Sequence, residues 1–234
     1  MFTETAAYYD KIYSFKDYAA EARQVIQIVD THAGPAATRL LDVACGTGHH
    51  LSHLKQRFHV EGLDLSEALL AQARERLPGV KFHHADMVAF DLGRTFDVIT
   101  CLFSSIGYVE TLERLDAAIA SMARHLAPGG LLLVEPWFTP EGWHPNTVHS
   151  VFVDEPEFRM ARINTSFQDS RISYFDLHYL IGTPNKTEHF VEHHRLGLFT
   201  REETEAAFRQ AGLDVTYDEQ GLTGRGLYTG RRPA

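Results

Sequence analysis

The sequence predicts an α/β fold: a mostly parallel sheet flanked by helices, with an antiparallel β insertion after the fifth strand. Three observations carry this. Apolar runs alternate with helix-patterned segments from residue 38 to residue 138. A glycine turn, CGTG, lies where the first run gives way to a helix. The apolar period then shortens to two, and no clear helix is legible over residues 137–198.

Residues 1–35 read as a helical arm, with Tyr8, Tyr9, Tyr13, Phe15 and Tyr18 ahead of AAEARQVIQIV and a break at AGPAAT. Residues 36–136 form the core. TRLLDVA is a buried strand and GTGHHLSHLKQRF a helix. HVEGLDL is the second strand, followed by SEALLAQARERL with Ser66 as its cap. VKFHHAD is the third. FDVITCLF is the fourth, a near-continuous apolar run suited to a sheet covered on both faces. TLERLDAAIASMARHL is a helix stopped by an APGG turn, and GLLLVEPWF is the fifth strand. Such alternation implies parallel strands with right-handed crossovers. Residues 137–198 form an antiparallel insertion or lid, with turns at VDEPE and TPNK. Residues 199–234 supply a helix, with Thr200 and Glu203 as a capping box, and a pair of strands from DVTYDEQ and RGLYTGRR. The whole reads as one domain.

Composition narrows the function. Lys plus Arg is 22 against 31 Asp plus Glu, a net charge of −9, and no long basic run occurs. That argues against a nucleic-acid partner. No apolar run nears the ~20 residues of a membrane helix. The amino-terminal stretch lacks the basic-then-apolar pattern of a signal peptide, so a cytoplasmic location is expected. Cys45 and Cys101 form no CxxC pair and read as reduced, structural thiols. The 14 histidines are scattered without ligand spacing, so no metal is expected.

The strongest signal is LLDVACGTGHH, residues 40–50, at a strand-to-helix junction. Gly46 and Gly48 let a ligand approach the backbone, and the helix beyond offers free N–H groups. A dinucleotide-binding GxGxxG would need glycine where Leu51 stands, which argues against a nicotinamide oxidoreductase. Asp42 suits a ligand with a cationic amine. Asp64, 22 residues further on at the next strand end, suits two ribose hydroxyls. Asp86 suits an adenine amino group, with Met87 beside the ring. CLFSSIGY falls on the same edge.

This ordered set resembles the class I S-adenosylmethionine-dependent methyltransferases, strongly over about residues 38–136. The resemblance implies a Rossmann-like, mostly parallel seven-stranded sheet. It places the methionine portion of the cofactor along Asp42, Ala44, Cys45, Gly46, Thr47 and Gly48. Ribose falls at Asp64 and Leu65, adenine at Asp86 and Met87, with Phe103, Tyr13 and Tyr18 completing the site. Ala44 stands where most members have the first glycine of the turn. S-adenosyl-L-homocysteine would be the coproduct.

A narrower resemblance extends over nearly the whole chain, to the N,N-dimethyltransferases of nucleotide-linked 3-amino deoxysugars in macrolide antibiotic pathways. It is carried by YDKIY with KDYAAEA, LDVACGTGHHL, EGLDLS, FSSIGY, VEPWF, DLHYL, LFTREE and GRGLY. It implies a small-molecule substrate, the amine of a nucleotide-activated sugar, methylated twice, and a possible homodimer. Sulfonium methyl transfer needs alignment and a neutral amine, so no strong catalytic triad is expected. Tyr108 and His178 are candidates for orienting the amine or relaying its proton; a capping tyrosine and a structural histidine are the alternatives. Tyr9, Ser104, Ser105, Trp137, Tyr179 and Arg225 are candidate substrate contacts, with packing roles as the alternative. YSFKDY is shorter than the family's glycine-containing loop, VEPWFTPEGW replaces a double tryptophan, and TGRGLY replaces SGRGLF. These departures keep another O or N acceptor open. A non-catalytic cofactor-binding protein is the rival from a different class.

Overall fold

A computed structural model describes residues 8–234, so the first seven residues of the expected arm lie outside the described residues. The arm holds a short helix α1 (Tyr9–Ile12) and α2 (Tyr18–His32), whose cap Asp17 accepts the Ala20 N–H at 2.8 Å. Then come β1 (Arg39–Val43), α3 (His49–Leu54), β2 (His59–Asp64), α4 (Glu67–Arg76) and β3 (Lys81–His84). β4 (Phe96–Cys101) leads through a 3-10 turn (Ser105–Val109) into α5 (Leu112–Arg124) and β5 (Leu126–Val134). Ser66 caps α4, and the Thr200–Glu203 box is fully formed at the start of α6 (Arg201–Gln210).

The main sheet has seven strands once β10 (Asp214–Asp218) and β11 (Leu227–Arg231) are added, in the order β10-β11-β5-β4-β1-β2-β3. β11 runs antiparallel to both neighbours; the remaining pairings are parallel. The strands are apolar at successive positions because both faces are covered. Leu40 and Val98 pack into one layer with Val25, Leu51 and Leu70. Leu41 and Ile99, one residue on, pack into the other with Leu115, Ile119 and Phe208.

One expected turn is not a turn. APGG does not end α5, which stops at Arg124; the segment is taken into β5, with a register shift between Phe96 and Val98 of its neighbour. The carboxy-terminal chain makes this possible: Gly129 donates to the Arg232 carbonyl at 3.0 Å, and Arg232 donates back to Gly130 at 2.9 Å. β5 also ends at Val134, so Glu135–Phe138 leave the sheet.

The insertion is a four-stranded antiparallel sheet of β6 (Val148–Glu155), β7 (Phe158–Asp169), β8 (Ile172–Thr183) and β9 (Lys186–Gly197). Two-residue connections join successive strands, including Pro156–Glu157 and Pro184–Asn185 at the expected turns. Phe158, Met160, Leu177, Tyr179 and Ile181 face inward and meet Ile12 of the arm. Gly107 lets this sheet approach the core: a Cβ there would lie 2.9 Å from Leu196 and from Trp137.

Candidate active site

The order of the main sheet reverses at β1 and β4, where α/β folds hold ligands beyond the carboxyl ends of their strands. Two adjoining hollows lie there. The first is lined by Tyr9, Tyr18, Asp42, Ala44, Gly46 and Phe103, with Cys45, Thr47, His49 and His50. The second, of about 260 Å³, is lined by Asp64, Leu65, Asp86, Met87, Tyr108 and Arg114. Tyr9, Ala44, Gly46 and Ser105 line both, so the two form one groove.

Its carboxylates differ in setting. Asp42 is buried and accepts the Thr100 hydroxyl at 2.7 Å; burial pushes its carboxyl up to about 6, against the pull of His50 and that hydrogen bond. Asp64 accepts the Gly46 N–H and the Ser66 N–H, each at 2.8 Å, and so ties the glycine turn to the end of β2. Burial raises its carboxyl despite these donors. Asp86 accepts Val88 N–H and Arg114 Nη2, both at 3.1 Å. The turn itself is left-handed at Ala44 (φ 58°), Gly46 (φ 55°) and Gly48 (φ 78°), and Gly48 begins α3. Leu51, at the place of a third glycine, is fully buried in the core.

The arm is clamped over this turn. Asp10 accepts the Thr47 hydroxyl at 2.8 Å, lies 2.9 Å from His49 Nε2, and pairs with Arg76. Tyr18 stacks on His49 at 4.5 Å. Glu21 pairs with His50 at 2.8 Å and with Lys16, whose ammonium sits 4.4 Å over the Phe103 ring. Tyr13 is set edge-on to Phe103 at 5.2 Å and packs behind Tyr9, outside the lining of both hollows. Burial raises the Cys45 thiol well above its usual value, as a structural cysteine requires.

Beyond Tyr9 the groove meets the inserted sheet. Tyr108 is half-buried, desolvation holds its phenol well above the usual range, and its Oη lies 2.7 Å from His194 Nδ1 on β9. Trp137 donates through Nε1 to Ser173 at 2.9 Å. The Arg225 guanidinium rests 5.0 Å over Trp137 and 4.9 Å over Phe138, and donates to the Ser104 hydroxyl at 3.3 Å. Ser104 is buried and donates in turn to the Pro136 carbonyl. Tyr179 is fully buried on the inner face of β8, in electrostatic reach of Tyr13, Arg162 and Glu192.

His178 is the candidate that the structure does not bring to the groove. Strand period two turns it away from its inward neighbours Leu177 and Tyr179, and it lies exposed, stacked on His189 at 5.7 Å. Conversely, Arg162, Glu192 and His194 line the inward side of the lid, and Arg114 holds Asp86; none stood out in the sequence. Buried His194 and Glu192 carry a weak signal only in hindsight, as polar residues at the apolar phase of β9. Among the described residues no cluster of His, Cys, Asp or Glu could hold a metal, and no helix is long and apolar enough to cross a membrane.

Comparison with known proteins fits this geometry. A family model described as a methyltransferase domain matches residues 40–130. The dTDP-3-amino-3,6-dideoxy-alpha-D-glucopyranose N,N-dimethyltransferase of Streptomyces fradiae is 44% identical over 97% of this chain and 90% of its own length. The crystal structure of Streptomyces venezuelae DesVI superposes with a TM-score of 0.90 at 42% identity, covering 97% of this chain and 98% of that one. The chain belongs to the dTDP-amino-sugar N,N-dimethyltransferase family. CalS10 of Micromonospora echinaspora, an amino pentose methyltransferase solved with S-adenosylmethionine bound, is 44% identical with a TM-score of 0.86, over 97% of this chain and 95% of that one. Membership makes the protein a methyltransferase with S-adenosylmethionine as methyl donor. The donor set fits: a buried carboxylate for an ammonium, a second for a diol, and a third beside Met87 for an adenine.

Proposed function

We propose that this methyltransferase acts on the amine of a dTDP-linked 3-amino deoxysugar and adds two methyl groups in succession. The observation that carries this is Tyr108, a half-buried phenol that lines the groove and is hydrogen-bonded to the inserted sheet. It stands where a methyl acceptor enters between core and lid. The full-length identity to amino-sugar enzymes includes that lid.

S-adenosylmethionine supplies an activated sulfonium methyl, so the chain's own residues have to align the acceptor and keep water out. Asp42 and the 44–48 turn take the methionine end, Asp64 the ribose, and Asp86 with Met87 the adenine. Tyr9 spans both hollows and closes them from the arm side. Tyr108 orients the amine lone pair. Arg225, braced on Trp137 and Phe138, offers a fixed cation to the nucleotide's phosphates.

Calorimetric titration with S-adenosylhomocysteine, followed by mass-spectrometric turnover of a dTDP-3-amino deoxysugar, tests the proposal. Binding with mass gains of one and then two methyl groups is expected. Binding without turnover would move the acceptor to another amine or hydroxyl.

A further inference from the structure

Two ionisable residues of the lid are buried where the groove ends. His194 and Glu192 alternate inward on β9, with side chains 1% and 3% exposed. His194 presents Nδ1 to Tyr108 Oη at 2.7 Å and Nε2 to the Glu192 carboxylate at 3.6 Å. Phe175 stacks on the imidazole at 5.5 Å and 13°, fixing its plane. Groups capable of charge are costly to bury in such a place, and a polar chain leading from a ligand groove is a reason to retain them.

We propose that His194 and Glu192 act through Tyr108 as a proton relay that neutralises the sugar amine in each methylation round. This rests on the amino-sugar reading above. In a transfer the amine lone pair forms the N–C bond as the C–S bond breaks, and the bonding pair leaves on sulfur. The nitrogen is left as an ammonium with no lone pair for a second attack. One N–H proton passes to Tyr108 Oη while the phenol proton passes to His194 Nδ1. The phenol is neutral before and after, as the desolvation that holds it well above the usual range requires. The imidazolium then faces the Glu192 carboxylate, and its proton leaves to solvent when the groove opens. The relay uses the tautomer in which Nδ1 accepts and Nε2 carries the hydrogen. Other groups set the electrostatics of this relay. Tyr9 and Tyr13 of the arm, Tyr179 of β8 and Asp64 of β2 lie in electrostatic reach of Tyr108, Tyr13 and Tyr179 also of Glu192, and Arg162 of β7 acts on Tyr13 and Tyr179.

His194 and Glu192 are positioning residues by this account, and two variants test them. His194→Asn keeps an acceptor for the Tyr108 hydroxyl but cannot take its proton. Glu192→Gln keeps the shape and removes the charge. Each is first shown to bind S-adenosylhomocysteine with wild-type affinity. Turnover of the dTDP-3-amino sugar and of its N-monomethyl form is then followed by mass spectrometry across pH. In His194→Asn, kcat for the second methyl is expected to fall by about 10²-fold with KM little changed. Monomethyl product then accumulates, and raising the pH restores dimethylation. Glu192→Gln is expected to show the same split to a smaller extent. Wild-type turnover with an unaltered product ratio and pH profile in both variants would overturn the relay alone. Failure of the wild type to methylate any dTDP-amino sugar would overturn the acceptor reading and the relay with it.

Discussion

The Glu135 carboxylate accepts the backbone N–H of Phe103 at 2.6 Å. Glu135 is fully buried just past β5 and also accepts the Thr223 hydroxyl at 2.5 Å. It thereby joins the end of β5, the turn after β4 and the loop that carries Arg225. Phe103 and Ser104 are consecutive left-handed residues, at φ 55° and 59°. Such backbone costs about 1–3 kcal/mol per residue and persists only where its surroundings impose it.

Glu135→Ala is therefore expected to destabilise the protein by about 2–3 kcal/mol, the range for leaving a buried donor without its charged acceptor. Glu135→Gln, which still offers one acceptor oxygen, should lose less. Urea unfolding of both variants checks this. Because the freed turn carries Phe103 into the cofactor cleft, the alanine variant should also bind S-adenosylhomocysteine more weakly. Equal stability of wild type and Glu135→Ala would show that the turn is held by something else.

Ala44 offers the opposite experiment. It adopts φ 58° at the position where most class I methyltransferases, which this turn resembles, have glycine. A left-handed alanine costs about 1–2 kcal/mol, while glycine costs about 0.5–1 kcal/mol through its freer unfolded chain. Ala44→Gly is expected to raise stability by up to about 1 kcal/mol, measured by thermal unfolding, and to leave S-adenosylhomocysteine affinity at or above wild type. A loss of stability would mean that the Ala44 methyl makes contacts worth more than its strain.

The core was legible because its strands are buried on both faces and its helices carry local start signals such as Ser66 and the Thr200–Glu203 box. The groove carboxylates Asp42, Asp64 and Asp86 were legible because each falls at or just past the carboxyl end of a strand. The lid was legible as β structure but not as a site. In β9 the buried phase holds Glu192 and His194 while Val191 lies on the other face, the reverse of the usual hydrophobic pattern. In β8, adjacent His178 and Tyr179 were both candidates, yet a strand cannot turn neighbours to one face. The APGG segment was misleading because its partner, Arg232, lies over 100 residues away, and long-range pairing overrode a local turn signal.

Asp10 bears on how the arm opens. Burial raises its carboxyl, but hydrogen bonds from His49 and Thr47, with the charges of His49 and Arg76, outweigh that and bring it to about 2. A depressed carboxyl stabilises the clamp above the unfolded value of 3.8, and the effect is lost as the pH falls through about 2. At neutral pH the Asp10 carboxyl is fully ionised. Asp10→Ala is expected to speed both association and dissociation of S-adenosylhomocysteine, and to weaken its affinity by about 10-fold, the loss of one or two hydrogen bonds. Stopped-flow fluorescence would read this. Unchanged rates would mean that the arm does not gate the cleft.

Asp42 has the reverse sign. Its carboxyl is raised from 3.8 to about 6 by burial, so the native state holds that proton more tightly than the unfolded chain. The stability this contributes is fully present below about pH 4 and is lost as the pH rises through about 6. A bound cofactor ammonium favours the ionised form. S-adenosylhomocysteine affinity should therefore rise from about pH 5 to pH 7 and then level, with proton release on binding at the lower end. Asp42→Asn should bind about 10²-fold more weakly at pH 8, since it lacks the charge that meets the ammonium. It should also unfold at a higher temperature than the wild-type apoprotein at that pH, because no buried charge has to form. Asp64, also raised by burial, shifts the wild-type profile in the same direction, so the slope that disappears in Asp42→Asn is the part belonging to Asp42. Calorimetry in two buffers of different ionisation enthalpy separates proton release from binding heat. An Asp42→Asn profile parallel to wild type would remove Asp42 from the cofactor site.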